Sequence, residues 1–256
     1  MHNTPVCVIT GSSSGIGAAS ARRYAREGWG VVVNFSRDPA PADSVAAECR
    51  ALGAQVLVVQ ANVADDADCQ RLAEAVRAHF GRCDVLVNNA GTTKFVPLRD
   101  LHGLQADDFH RIYDVNVIGA FQMIRALQPL LHQAPGGAGV VNISSVASMM
   151  GRGSSIAYMA SKGALNAMTV GLARALGPHI RVNAIAPGLV ETPWLQQGLG
   201  AERYDQAVSD YKDRAALEDV ISPDDVADAA WWLGAGAKKT TGEVLLVDAG
   251  LRITRA

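Results

Sequence analysis

Short apolar runs of strand length recur along the whole chain, and segments with helical character separate most of them. The runs lie at Val6 to Ile9, Val31 to Phe35, Val56 to Gln60, Val85 to Asn88, Val140 to Ser144, Arg181 to Ala186 and Val244 to Val247. Strands that are apolar throughout, instead of alternating, are buried on both faces. Strands that take turns with helices are joined in parallel by crossovers. Few folds meet both conditions. The pattern predicts an α/β architecture: a doubly wound, parallel seven-stranded sheet with helices on both faces. Helices are expected at Ala18 to Ala25, Pro41 to Leu52, Ala67 to Phe80, Asp107 to Leu131, Ile156 to Leu176 and Pro223 to Leu233. The last begins Ser222-Pro223-Asp224-Asp225, which supplies an N-cap, a proline at the first position and early acids that suit the helix dipole.

The 256 residues are enough for one large domain. No charged or Pro/Ser-rich linker divides them and there is no repeat, so a single domain over residues 1–256 is expected. In such a sheet a ligand sits beyond the carboxyl ends of the strands. Gly11, Asn89, Ser145 and Pro187 each follow a strand, so residues distant in sequence are expected to converge on one cleft.

The first strand runs into Thr10-Gly11-Ser12-Ser13-Ser14-Gly15-Ile16-Gly17 and then a helix. Glycines at such a junction let the backbone turn tightly and approach a diphosphate, which the amide N–H groups at the helix start attract. The spacing is wider than G-x-G-x-x-G, with three residues between the first two glycines. Farther on, Tyr158 and Lys162 stand four residues apart in Ala157-Tyr158-Met159-Ala160-Ser161-Lys162, a turn apart on one helix face. An ammonium near the phenol would lower its pKa from about 10 toward the working pH and make Tyr158 an acid.

Together these residues resemble the short-chain dehydrogenase/reductase family, in its single-domain branch of about this length, and the resemblance covers essentially the whole chain. It is carried by Thr10 to Gly17, Asn88-Asn89-Ala90-Gly91, Asn116, Ser145, Tyr158 with Lys162, Pro187-Gly188 with Thr192, and Val247-Asp248. The resemblance implies a Rossmann-type, NAD(P)-binding domain and an oxidoreductase acting on CH–OH groups. It implies Asn116, Ser145, Tyr158 and Lys162 as the catalytic set: Tyr158 the proton donor, Ser145 a second hydrogen bond to the reacting oxygen, Lys162 on Tyr158 and the nicotinamide ribose, and Asn116 binding a water that relays protons to Lys162. Ser145, and not Ser144, stands at the family's distance from the tyrosine. The cofactor set implied is Gly11, Ser13, Ser14, Gly15, Ile16, Gly17, Ser36, Arg37, Asn62, Val63, Asn89, Ala90, Gly91, Tyr158, Lys162, Pro187, Gly188, Val190 and Thr192. A substrate lid is implied at about 188–216, and a homotetramer using the helices at 107–131 and 156–176 and the last strand with its tail.

The second strand ends Asn34-Phe35-Ser36-Arg37-Asp38. An acid at the position of Phe35 would bond the adenosine ribose and select NAD(H), whereas an arginine accommodates the 2′-phosphate. NADP(H) is therefore expected over NAD(H), unless Arg37 pairs with Asp38. The turn has Ser14 where many NADP-dependent relatives carry a basic residue, and Asn62 stands where the family often has Asp.

The most similar activity in type is that of 3-oxoacyl-[acyl-carrier-protein] reductases. A dehydrogenase of a small ketone, sugar or secondary alcohol is the alternative, and a noncatalytic dinucleotide-binding regulatory protein a remote one. Gln128 to Gly137 has no Lys or Arg to meet an acyl carrier protein, which leaves Arg174 as one contact for such a partner. Trp194, Leu195, Leu199, Tyr204 and Tyr211 give the lid segment an apolar or mixed character, unless they only pack it to the body. Thr92, Thr93, Lys94, Phe95, Met149, Met150 and Arg152 are further candidates for the cleft wall, with Lys94 or Arg152 able to meet an anionic substrate.

Composition narrows the remaining classes. A formal net charge of −2 with scattered basic residues argues against a nucleic-acid surface. Cys7, Cys49, Cys69 and Cys83 lack C-x-x-C spacing and the histidines make no cluster with them, so no metal is expected. Met1 to Pro5 lacks the regions of a secretion signal and no apolar stretch is long enough to span a bilayer, so a soluble, cytoplasmic protein with a small-molecule carbonyl or alcohol substrate is expected.

Overall fold

The computed structural model describes residues 4–253; Met1 to Asn3 and the tail residues 254–256, named above for the leader and the oligomer, lie outside the described residues. The apolar runs form the strands β1 (Val6–Ile9), β2 (Gly30–Phe35), β3 (Val56–Gln60), β4 (Val85–Asn88), β5 (Ala138–Ile143), β6 (Ile180–Pro187) and β7 (Val244–Val247). They make one parallel sheet in the order β3-β2-β1-β4-β5-β6-β7. β1, β2, β4 and β5 are buried along their whole length, as continuous apolar runs require.

The helices are α1 (Gly15–Arg26), α2 (Pro39–Ala51), α3 (Asp66–Phe80), α4 (Ala106–Tyr113), α5 (Gly119–His132), α6 (Ala147–Met150), α7 (Ile156–Leu176), α8 (Pro193–Leu199), α9 (Ala201–Arg214) and α10 (Pro223–Trp231). Successive strand residues point to opposite faces, and the core divides accordingly. Cys7, Ile9, Val31 and Val33 pack with α1, α2 and α10 on one side; Val6, Val8 and Val32 pack with α3 and α5 on the other. The chain reverses its direction of winding between β1 and β4. That is the switch point where the carboxyl ends of the strands open a crevice.

The helix expected as one piece from Asp107 to Leu131 is interrupted. Between α4 and α5 a π-helical turn spans Asp114–Ile118, with Asn116 inside it. Such bulges recur at functional sites because one wider turn re-aims a side chain. Here the Asn116 side chain makes three hydrogen bonds: Oδ1 accepts from Thr92 N at 2.8 Å, and Nδ2 donates to Thr92 O and Ser161 Oγ, each at 3.0 Å. Among the described residues no helix is long and apolar enough to cross a membrane. Ile118 and Phe121 near the start of α5, and Val170 on α7, stand exposed.

Candidate active site

The turn after β1 is shaped by contacts that leave no room for side chains. Gly11 has φ +59°, the left-handed region that glycine tolerates, and a Cβ there would come within 3.0 Å of Ala90 Cα. A Cβ on Gly17 would lie 2.5 Å from Asn89 Nδ2 and 2.6 Å from Gly11 O. Asn89 fills that space, donating from Nδ2 to Thr10 O and Gly11 O at 2.9 Å each. Asn34 locks the other side: Oδ1 accepts from Gly11 N at 2.9 Å, and Nδ2 reaches Phe35 O, Val59 O and Ala61 O. Sequence reasoning did not single out Asn34. A polar residue inside an apolar strand run was the available signal.

Beyond the turn α1 begins with no side-chain cap and no acid in its first turn, so its N–H groups and positive dipole end meet Ser14, Gly15 and Ile16 at the cleft. This tests the dinucleotide expectation independently of motif spacing. A cradle that glycine alone fits, at an uncapped helix start, is what a diphosphate requires.

The cleft has a volume of about 1290 Å³ and runs from Ser36 and Arg37 at one end to Ser145, Tyr158, α8 and α9. Of the implied cofactor residues it brings together Gly11, Ser14, Gly15, Ile16, Ser36, Arg37, Asn62, Val63, Asn89, Ala90, Gly91, Tyr158, Lys162, Pro187, Gly188, Val190 and Thr192. Ser13 and Gly17 do not line it: Gly17 is buried against Asn89, and Ser13 is half-buried in the turn. Arg37 makes no ion pair among the described residues, and Asp38 instead accepts from Ala40 N to cap α2. Phe35 is buried in the core between the sheet and α2. Asn62 Oδ1 accepts from Ala64 N.

α7 carries Tyr158 and Lys162, the pair expected to act together. Ser155 caps it, its Oγ accepting from Tyr158 N at 3.3 Å, so Tyr158 sits in the first turn at the mouth of the cleft. Lys162 is buried beneath it, and Nζ donates to Ile143 O at the end of β5 at 2.7 Å. Its ammonium lies 5.7 Å from the Tyr158 ring centroid. Asn116 does not line the cleft; it stands behind Gly91, where a Cβ would be 3.5 Å from Asn116 Oδ1 and 3.7 Å from Lys162 Nζ. Ser161 Oγ, which receives the Asn116 bond, donates to Tyr158 O at 2.7 Å, so Asn116 braces the tyrosine's own backbone.

The expected lowering of the phenol's pKa is corrected. Burial pushes Tyr158 up to about 12, with the Ser145 hydroxyl at the phenol pulling the other way. Burial also brings Lys162 down to about 8. The physical reason lies in the geometry: the ammonium is turned to the Ile143 carbonyl, and desolvation dominates both groups. Ser145 Oγ accepts from Ala147 N at 3.1 Å, while its carbonyl accepts from Ser148 Oγ, which Asn166 holds at 2.8 Å. Ser144 is buried and bonds to Lys162 O, a local role.

Residues 188–216, where a lid is expected, contain α8 and α9, and a bridge between Val190 and Ile221 ties their start to the segment that follows α9. Thr192 caps α8 and brings its Cγ2 to 3.3 Å from the Cβ position of Gly15, so lid and turn touch. Tyr211 is a packing residue, its hydroxyl donating to Asp248 O at 2.7 Å. Lys94 is held by Asp108 at 2.7 Å and does not line the cleft; Arg152 does, without an ion pair among the described residues. Asp248 is used locally, capping Gly250 N and Arg252 N. No group of His, Cys, Asp and Glu that could hold a metal exists among the described residues.

Comparison with known proteins fits this geometry. The family model described as enoyl-(acyl carrier protein) reductase matches residues 11–252. The chain belongs to the short-chain dehydrogenase/reductase family. It is therefore an oxidoreductase that interconverts a carbonyl and an alcohol, in a family that binds a nicotinamide dinucleotide. It is 42% identical over 249 residues to "Granaticin polyketide synthase putative ketoacyl reductase 2" of Streptomyces violaceoruber, covering 97% of this chain and 96% of that protein. It is 34% identical to glucose 1-dehydrogenase 2 of Bacillus subtilis, covering 96% and 94%. A solved structure, "a putative short-chain dehydrogenase/reductase from Burkholderia xenovorans", superimposes with a TM-score of 0.92 at 44% identity, covering 99% of this chain and all of that one.

Proposed function

We propose that the protein is an NADP(H)-dependent reductase of a ketone, working reversibly on the secondary alcohol, with Tyr158 as the acid. The observation that carries this is the convergence, in one cleft, of Tyr158, Ser145 and buried Lys162 with the uncapped start of α1 and Arg37, which makes no ion pair among the described residues. The turn from Gly11 to Ile16 would hold the diphosphate, and Ser36 with Arg37 the 2′-phosphate. The bound nicotinamide supplies or accepts the hydride. Everything else falls to the chain's own residues. Tyr158 Oη, kept protonated by its raised pKa, gives its proton to the substrate oxygen as that oxygen gains charge. Ser145 Oγ gives the same oxygen a second hydrogen bond, and such a donor contributes about 3 kcal/mol. Lys162 supplies positive charge under the ring, and Asn116, through Ser161 and Thr92, fixes the helix and loop that flank it.

A ketoacyl reductase among the relatives supports reduction of a ketone, and a glucose 1-dehydrogenase supports carbonyl–alcohol oxidoreduction in general. Oxidation of NADPH and NADH by the purified protein, against acetoacetyl thioesters, small diketones, ketoses and cyclic ketones, is the direct test. NADPH is expected to be preferred, and Arg37→Ala to weaken NADPH about tenfold or more while sparing NADH, the scale of a charge-assisted phosphate contact. Preference for NADH in the unmodified protein would show that the end of β2 does not select the phosphate.

A further inference from the structure

The lid's aromatic side chains are in two different conditions. Tyr211 is 4% exposed and spends its hydroxyl on Asp248 O, so it fastens α9 to the body. Trp194, in the first turn of α8, is 45% exposed and lines the cleft. A tryptophan that only anchored the lid would be covered as Tyr211 is. Its ring centroid is 6.4 Å from that of Tyr158, tilted by 44°, and 5.6 Å from that of Phe95, tilted by 53°. Phe95 lies close over Gly198 of the same helix, where a Cβ would be 2.0 Å from its ring. Three separate elements, the loop after β4, α7 and α8, thus bring three rings together, and one of them is the proton donor.

Several polar groups on the loops beside Phe95 are engaged with one another, while Arg152 lines the cleft without an ion pair among the described residues. Thr93 Oγ1 and Ser154 Oγ bond each other at 2.7 Å, and Lys94 is held by Asp108. Against the faces of Trp194 and Phe95 a sugar hydroxyl would lose its partners, which is costly, whereas an apolar ring would gain edge or offset contacts at the spacings these rings present. We infer that Trp194 and Phe95 form an aromatic subsite beside Tyr158, and that the substrate is a ketone bearing a flat apolar group, aryl or conjugated, next to the carbonyl. Recognition of this kind presupposes the carbonyl-reducing site proposed above.

The test compares 1-phenyl-1,2-propanedione with 2,3-butanedione and a ketose, using NADPH and the intact protein. The aryl diketone is expected to have a kcat/KM about tenfold or more above butanedione, mostly through KM, since stacked rings contribute on that scale. Trp194→Ala should erase most of that ratio, and Trp194→Phe, which keeps a ring, should retain part of it. A ketose or butanedione turned over better than the aryl diketone would overturn the subsite while leaving the reductase assignment standing. Binding of the aryl diketone is followed separately by quenching of the fluorescence that Trp194→Phe removes. Quenching without reduction of any carbonyl would support the subsite and sink the reductase assignment; absence of quenching would overturn the subsite.

Discussion

The two walls of the cleft are built on opposite principles. On the inner wall, formed by the turn after β1, the loop after β4 and α7, polar side chains close on backbone groups: Asn34, Asn89 and Asn116 each tie two or more segments together. On the outer wall α8 and α9 meet the rest of the chain through a small cluster around Tyr211, Ala215, Val220 and Leu251, the backbone bonds on either side of Ile221, the Tyr211–Asp248 bond, and the contact of Trp194 and Gly198 with Phe95. Proton and hydride transfer tolerate little displacement, so the wall that holds the reacting groups is braced from several directions. Substrate recognition needs access and exchange, and lids belong to the less stable parts of a structure. The difference teaches where change should be costly in chemistry and where it should be costly only in stability or selectivity.

The contrast predicts its largest effect at the inner wall. Tyr158→Phe removes the donor hydroxyl and preserves the ring that meets Trp194, so the lid contact and cofactor binding survive while kcat falls by about 10²- to 10⁴-fold. Single-turnover reduction together with NADPH binding measured by fluorescence separates the two quantities. Full activity in this variant would mean that another group donates the proton.

A smaller effect is expected where the lid is fastened. A Cβ on Gly188 would lie 1.9 Å from Tyr211 Oη and 2.9 Å from Cζ, so Gly188→Ala must push the ring aside and break its bond to Asp248. The cost should be about 1–3 kcal/mol, read as a lowered Tm. Adding Tyr211→Phe, which removes the clashing oxygen, should restore part of it. An unchanged Tm in Gly188→Ala would show that the lid is not fastened at this point.

The same division explains what could be read in the sequence. β4 at Val85–Asn88, β7 at Val244–Val247 and α7 at Ile156–Leu176 follow from apolar runs and periodicity with the boundaries observed. The π turn at Asp114–Ile118 was not legible, because one extra residue in a turn barely disturbs helical periodicity and is stabilised by Thr92 and Ser161, distant in sequence. α8 and α9 were not legible as helices, because Tyr211 is their one buried residue and no apolar face marks them, although Thr192-Pro193 offers a cap and a first-turn proline. Gly11, Asn89, Ser145 and Pro187, each placed after a strand, lie along one cleft. The state of the phenol was not legible, because spacing along a helix places Lys162 near Tyr158 but says nothing of the Ile143 carbonyl to which the ammonium turns.

That carbonyl sets the subtlest expectation, a pH profile governed by the inner wall alone. The proposed mechanism requires, in the reduction direction, a protonated Tyr158 and a charged Lys162. The phenol, raised to about 12, keeps its proton throughout the accessible range, so it imposes no descending limb of its own. Lys162, lowered to about 8, is an ammonium below that value and loses its charge above it. Reduction should therefore be level in mild acid, fall to about half near pH 8, and continue down about tenfold per pH unit beyond. Rates from about pH 6 to about pH 10 at saturating substrate check this. Since both groups lie on α7 and the lid contributes neither, Gly188→Ala should leave the position of the descent unchanged. A descent that moved with the lid variant would show that the outer wall helps to set the charge of the inner one, and the two walls would then have to be treated as one.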